Sequence, residues 1–185
     1  MTTSAVFLVA SLIATLGQDA DVGRARVADT MLAFVWVPWM LGFFLLLKGL
    51  PGGSQLLLSA GMAVALSDVC AFALGKLCGR RALAPRLSPA KTWEGAAGNV
   101  AGAYLGFGLM WSTFAVDLPA WVVWFMPLVI AAGCLWGDLF QSLVKRGAGV
   151  KDTGTWLPGF GGLLDRIDSL LFALPLVYAT AAVLS

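Results

Sequence analysis

An all-α, polytopic integral membrane protein with about six transmembrane helices is the fold class that this 185-residue sequence predicts. Composition is the first reason: 59% of the residues are hydrophobic and 12% charged, with a mean hydropathy of +0.87. A soluble domain carries about 45–50% apolar and about 25% charged residues, so this chain lacks the polar surface to face water. Spacing is the second. Residues 1–18, 31–47, 49–67, 95–116, 118–137 and 169–185 contain no Asp, Glu, Lys or Arg, and each run has 17–22 residues. Such a run crosses a hydrocarbon core of about 30 Å as a helix. Barrel-type alternation is absent, and Phe43-Phe44-Leu45-Leu46-Leu47 is apolar on every side.

The helices are expected at 3–17, 29–48, 54–76, 95–115, 119–144 and 163–184, within one transmembrane domain covering 1–185. No basic residues precede the apolar stretch Ala5–Leu16, which makes it a helix rather than a signal peptide. Pro51-Gly52-Gly53 reads as a tight external turn and Asp117-Leu118-Pro119 as another. No internal repeat, low-complexity tract or linker divides the chain. Eleven of the twelve Lys and Arg fall in 18–30, 76–94 and 143–168, and only Lys48 lies in the opposite loops. Six helices put those three basic segments on one side, which the positive-inside rule makes cytoplasmic. Both termini then lie outside.

Several function classes drop out. A net charge of +2 is too small for a nucleic-acid binder. The chain has no histidine, which removes a Ser-His-Asp triad, a Cys-His dyad and His-ligated zinc or haem. Cys70, Cys78 and Cys134 lack CxxC spacing and are expected to be small buried residues.

A charge at bilayer depth costs at least about 2.5–3.5 kcal/mol, so each one needs a reason. Asp68 lies two helical turns inside the third span, and Asp138 interrupts the apolar run that begins at Leu118. Either could pair with a neighbouring helix for packing specificity, but a polar site within the membrane is the favoured reading. Asp138, Ser142 and Lys145, at i, i+4 and i+7, form one stripe, with Arg146 beside it. That stripe suits a metal at depth and an anion nearer the surface. Asp165 and Asp168, at i and i+3, project from one face of the last helix. Helix-dipole stabilisation explains one acid in a first turn, not two opposite Asp138. Three carboxylates without histidine select a hard cation such as Mg²⁺, Mn²⁺ or Ca²⁺. Lys145, Arg146, Lys151 and Arg166 add phosphate binders, and the intervening loop 147–162 is glycine-rich. In the basic segment 76–94, Ser88, Lys91 and Thr92 offer further ligand groups, whereas Arg80, Arg81 and Arg86 read as headgroup anchors. Metal plus cations is the equipment of phosphoryl or nucleotidyl transfer.

Ser142-x-x-Lys145-Arg146-x4-Lys151-Asp152, followed by Pro158-Gly159-x-Gly161-Gly162-x-x-Asp165-Arg166-x-Asp168, resembles the signature of the phosphatidate cytidylyltransferase (CDP-diacylglycerol synthase) family. Gly137-Asp138-Leu139-Phe140, the stretch from Ser88 to Gly95 and Asp68 resemble further elements of it, so the likeness to the catalytic part runs over 68–175. The resemblance implies that CTP and phosphatidic acid give CDP-diacylglycerol and pyrophosphate, in phospholipid biosynthesis at the inner (plasma) membrane. It implies Mg²⁺, with K⁺ associated with the paired-metal site of a relative. Asp138 and Asp165 would be metal carboxylates and Asp168 a ligand or its partner, with Lys151 and Asp152 in the catalytic block. Lys145, Arg146, Lys151 and Arg166 would hold phosphate oxygens, and Ser88, Lys91, Thr92 and Ser142 would complete the substrate site. Membrane lipids surround such an enzyme, and a homodimer is compatible with it. Phe160 stands where the family usually has histidine, and the chain is shorter than bacterial members that carry additional N-terminal helices. A related enzyme acting on another lipid phosphate, an inactive paralogue and an ion-coupled transporter using Asp68 and Asp138 are the competing readings.

Overall fold

A computed structural model of the chain describes residues 9–10, 13, 19–114, 119–150 and 164–183. The chain divides into two compact units, Met1–Gly42 and Phe43–Ser185. Of the expected first helix, only residues 9, 10 and 13 are described, so 3–17 as a span lies outside the described residues.

The first unit holds α1 (Ala20–Phe34) and a π-helical turn, Val35–Trp39, which leads into α2 (Met40–Lys48). Pro38 accounts for the turn: it has no N–H to donate, and its ring crowds the carbonyl four residues back, so the ladder widens there. The helix begins at Ala20, well before the expected 29, because Asp21, Arg24, Arg26 and Asp29 interrupt an uncharged run without interrupting a helix.

In the second unit, α2 ends at a tight turn in which Gly52 adopts φ +68°. A Cβ on Gly53 would lie 1.9 Å from the Leu47 carbonyl oxygen, which explains the paired glycines. Four further helices follow the expected order: α3 (Gly53–Cys78), α4 (Trp93–Phe114), α5 (Ala120–Gly147) and α6 (Leu164–Ala182). Between α3 and α4 the expected loop is instead a short antiparallel hairpin. Its strands, β1 (Ala82–Ala84) and β2 (Ser88–Thr92), pair Ala82 with Thr92 and Ala84 with Ser88 across an irregularity. Its alanines and Pro89 carry little strand propensity, so contacts at its base hold it. The Trp93 N–H donates to the Arg81 carbonyl at 3.0 Å.

Close backbone contact organises the bundle. On α4, Gly98, Gly102 and Gly106 recur every four residues and face α3. Cβ atoms there would lie 2.6 Å from Cys70 O, 2.3 Å from Leu66 O and 2.5 Å from Met62 O. Small residues at this spacing let membrane helices approach backbone to backbone. Gly133 and Gly137 do the same for α5 against α6, with Ala173 and the Asp168 carbonyl as neighbours. The core between these pairs is apolar, with Leu56, Phe107, Met126, Ile130, Leu174 and Val177 fully or almost fully buried. Outward, large apolar side chains such as Leu58, Phe72, Leu105, Trp124 and Trp136 are exposed, as a lipid-facing surface requires.

Three helical stretches are long and apolar enough to cross a membrane: Asp21–Lys48, Gly53–Cys78 and Trp121–Gly147. The described residues therefore show three candidate spans where six were expected. The α4 helix is diluted by glycines, Asn99, Tyr104, Ser112 and Thr113, and the apolar part of α6, Ile167–Ala182, is short. Cys134 is buried as expected and Cys70 half-buried. Cys78 is exposed, because it ends α3 beyond the packed core.

The packing has a direct test. Gly102→Val is expected to destabilise the protein in detergent by about 3 kcal/mol, since α3 must move away from backbone it now touches. Gly108→Ala, on the same helix but with nothing within 4 Å, should leave the thermal midpoint unchanged or slightly raised. An unaltered midpoint for Gly102→Val would refute the close-packing account.

Candidate active site

The acidic residues that interrupt the apolar segments meet at one cavity of about 350 Å³ in the second unit. Asp68 reaches it from α3, Asp138 from α5, and Asp165 and Asp168 from the first turns of α6. From the hairpin, Ser88, Lys91 and Thr92 line the same space. Ala71, Phe72, Leu83 and Leu135 also line it and give it an apolar component, with Phe72 at its exposed edge.

Partners hold the carboxylates in place. Lys91 forms an ion pair with Asp138, which joins β2 to α5. Lys145 Nζ lies 3.0 Å from Asp165 Oδ1, and Gln141 Nε2 donates to the same oxygen at 3.0 Å. Ser169 Oγ lies 3.1 Å from Asp138 Oδ1 and 3.4 Å from Asp68 Oδ1, so its single proton serves both. The Ser169 N–H donates to Asp168 Oδ1 at 2.8 Å. Ion pairs and hydrogen bonds of this kind offset the desolvation of charges taken out of water. The Lys91 ammonium is enclosed; among the described residues Asp138 is within ion-pair distance, and Asp68 and Asp168 lie near enough to feel its charge.

The hairpin is fastened from outside the membrane-spanning segments. The Glu94 carboxylate accepts the N–H groups of Arg80 and Arg81 at 3.1 and 3.3 Å, and Thr92 Oγ1 accepts the Gly95 N–H at 3.0 Å. Glu94's own backbone N–H, with those of Arg80 and Arg81, holds its carboxyl below the usual range. A lowered value means that the clamp is present above the unfolded pKa and is lost as pH falls through the folded one.

Not every expected residue arrives at the cavity. The Ser142 hydroxyl donates to the Asp138 carbonyl on its own helix at 2.8 Å, and Arg146 is exposed at the end of α5. Lys151 and Asp152 lie outside the described residues, as does Phe160, and of Arg166 only the backbone is described. Three residues escaped the sequence reading. Asn99 is 4% exposed on α4 and lines the cavity; Gln141 and Ser169 are 3% and 1% exposed. All three are neutral, and the reading followed charge. Asn99, alone among apolar and small neighbours in 95–108, was the signal available.

For a metal, the donor set is all oxygen and suits a hard cation. Among the described residues, however, no three Asp, Glu or Cys side chains are grouped closely enough to hold one ion. The carboxylates surround a common space and turn to ammonium, amide and hydroxyl partners. Chemically, the cavity offers fixed carboxylates, the Lys91 ammonium, a second ammonium behind Asp165 and some apolar surface.

Similarity to known proteins agrees with this geometry. Residues 1–184 match the cytidylyltransferase family. The phosphatidate cytidylyltransferase of Mycobacterium leprae (strain TN) is 38% identical over 142 residues, covering 77% of this chain and 45% of the relative. That of Mycobacterium bovis is 37% identical over 145 residues, 78% of this chain and 47% of the relative. That of Brucella suis biovar 1 is 42% identical over 117 residues, 63% of this chain and 43% of the relative. The chain thus spans less than half the length of these curated relatives. With a family match running almost end to end, and carboxylates from three helices and Lys91 from the hairpin gathered at one cavity, this chain is a member of the cytidylyltransferase family.

Proposed function

We propose that the protein is a phosphatidate cytidylyltransferase, joining CTP to phosphatidic acid and releasing pyrophosphate. The observation that carries this reading is the convergence of Asp138, Asp165 and Asp168 with Lys91 at one cavity that also has an apolar component. In the reaction a phosphatidate oxygen attacks the α-phosphorus of CTP, and the bond to the leaving pyrophosphate breaks. The lipid phosphate is itself the nucleophile, so no histidine or thiolate is required.

Asp138 and Asp165 would hold Mg²⁺ together with substrate phosphate oxygens, with Asp168 and Asp68 behind them through Ser169. Bound there, the cation would neutralise charge on the phosphate oxygens. Lys145 and Lys91 bind triphosphate and phosphatidate oxygens, helped by Arg146, Lys151 and Arg166. Ser88 and Thr92 orient the nucleotide end from β2. Phe72, Leu83 and Leu135 exclude water beside the lipid. By the positive-inside rule the basic segments, and with them the site, would face the cytoplasm.

Purified protein in detergent, given labelled CTP, Mg²⁺ and phosphatidic acid, should form lipid-linked CMP, and EDTA should abolish it. Asp138→Asn and Asp165→Asn should each lower kcat/KM by on the order of 100-fold or more. Folded protein that labels no lipid phosphate would overturn the proposal. Glu94→Gln should raise KM for CTP on the order of threefold with a smaller change in kcat, because it loosens the base of the strand that carries Ser88, Lys91 and Thr92. An equal fall in kcat with unchanged KM would contradict a positioning role for Glu94.

A further inference from the structure

We propose that Lys91 and Lys145 are built-in counter-cations that a divalent metal must displace, which makes entry of metal and of nucleotide phosphate into this cavity mutually dependent. The inference rests on the nucleotidyl-transfer reading and deepens it.

The two carboxylates first in line to hold a metal each already carry an ammonium group: Asp138 has Lys91 and Asp165 has Lys145. The remaining acidic residues use the Ser169 hydroxyl and N–H. An ammonium and a divalent ion compete for the same carboxylate oxygens, so ligation requires each lysine to move. Displaced from its carboxylate, an enclosed ammonium exchanges an ion pair for the neutral and more distant acceptors of the lining, a net penalty for a charge held out of bulk water. Phosphate oxygens are the acceptors that remove this penalty. Lys91 is suited to the exchange: its ammonium has three donors and, among the described residues, one partner within ion-pair distance. Lys145 is likewise held inside, 18% exposed against 10% for Asp165. Metal alone therefore opposes the lysines, and phosphate alone pulls them from the carboxylates. Together the two ligands leave Lys91, Lys145, Asp138 and Asp165 each with a partner of opposite charge, and by linkage each strengthens the other.

The test reads binding in the full chain in detergent, with Mn²⁺ alone followed by electron paramagnetic resonance. Without nucleotide, Lys91→Gln and Lys145→Gln should each bind Mn²⁺ on the order of tenfold tighter than the unaltered protein. Their affinity for CTP without metal, measured by equilibrium dialysis, should fall. Lys76→Gln removes a cation that sits over the Phe72 ring and pairs with no site carboxylate, so it should change Mn²⁺ affinity by less than about twofold. Circular dichroism confirms folding, and Lys145→Gln carries the test if Lys91→Gln does not fold. Mn²⁺ affinity that is unchanged or weaker in the folded lysine variants overturns the proposal, as does an equal gain in Lys76→Gln. If the unaltered protein forms no lipid-linked CMP while the lysine variants gain Mn²⁺ affinity, the catalytic reading fails and the counter-cation role stands.

Discussion

Carboxylates set within apolar segments must find ion-pair or hydrogen-bond partners, and the second unit is arranged around that requirement. In a medium of low polarity an unpaired carboxylate is far costlier than a lost apolar contact, so its partner is effectively obligatory. The pairings run between elements rather than within them. Lys91 ties the hairpin to α5, and Lys145 ties α5 to α6. The α5 helix is the hub, because it contributes one member to each pair: a carboxylate at 138 and an ammonium at 145. Seven residues are close to two full turns, so both groups leave the same face, one deep and one near the helix end. Ser169 then links the Asp138 pair to Asp68 on α3, which brings a third helix into the same network.

Charge pairing works only where backbones approach closely enough for short side chains to meet, and glycine provides that. Gly137 directly precedes Asp138 and lies against the Asp168 carbonyl, where a Cβ would come within 2.8 Å. A larger residue there would separate α5 and α6 at the level where their acids converge. On the other side, Gly95 abuts the Ala71 carbonyl and the Thr92 hydroxyl, which sets the start of α4 and the end of β2 beside α3. The glycines that reduce the apolarity of α4 are thus the ones that bring Asn99 and Lys91 over the cavity. Hydropathy and packing pull in opposite directions in this helix.

That conflict explains what was legible in the sequence. Uncharged runs bounded by Pro and Gly located α3, α4, α5 and α6 to within about three residues at each end, because charge and turn residues stop membrane helices. The same criterion missed the start of α1, where Asp21, Arg24 and Arg26 are ordinary helix residues outside any apolar run. The hairpin was invisible, since its strands owe their form to Glu94, Thr92 and the Arg81 carbonyl rather than to β-branched side chains. At the site, Asp68, Asp138, Asp165 and Asp168 stood out as charges in the wrong solvent. The spacing also showed that Asp138 and Lys145 share a face. It could not show that each takes its partner from a different element, because pairing across the bundle depends on tertiary approach. Ser142 illustrates this: it lies on the predicted stripe, yet its hydroxyl is used by its own helix.

The mixed lining of the cavity bears on which chemistry it can host. It combines carboxylates and the Lys91 ammonium with Ala71, Phe72, Leu83 and Leu135. A site for two water-soluble substrates has no need of the apolar component, and a site for lipid alone has no need of paired charges at depth. A reaction between a nucleotide polyanion and a phosphate carried on acyl chains needs both, meeting at one point. The hairpin supplies an element to each: Leu83 on β1 lines the cavity with an apolar side chain, while Ser88, Lys91 and Thr92 on β2 line it with polar groups. Glu94 fastens both strands at one base, so that Leu83 and Lys91 are carried by one short, tied piece of backbone.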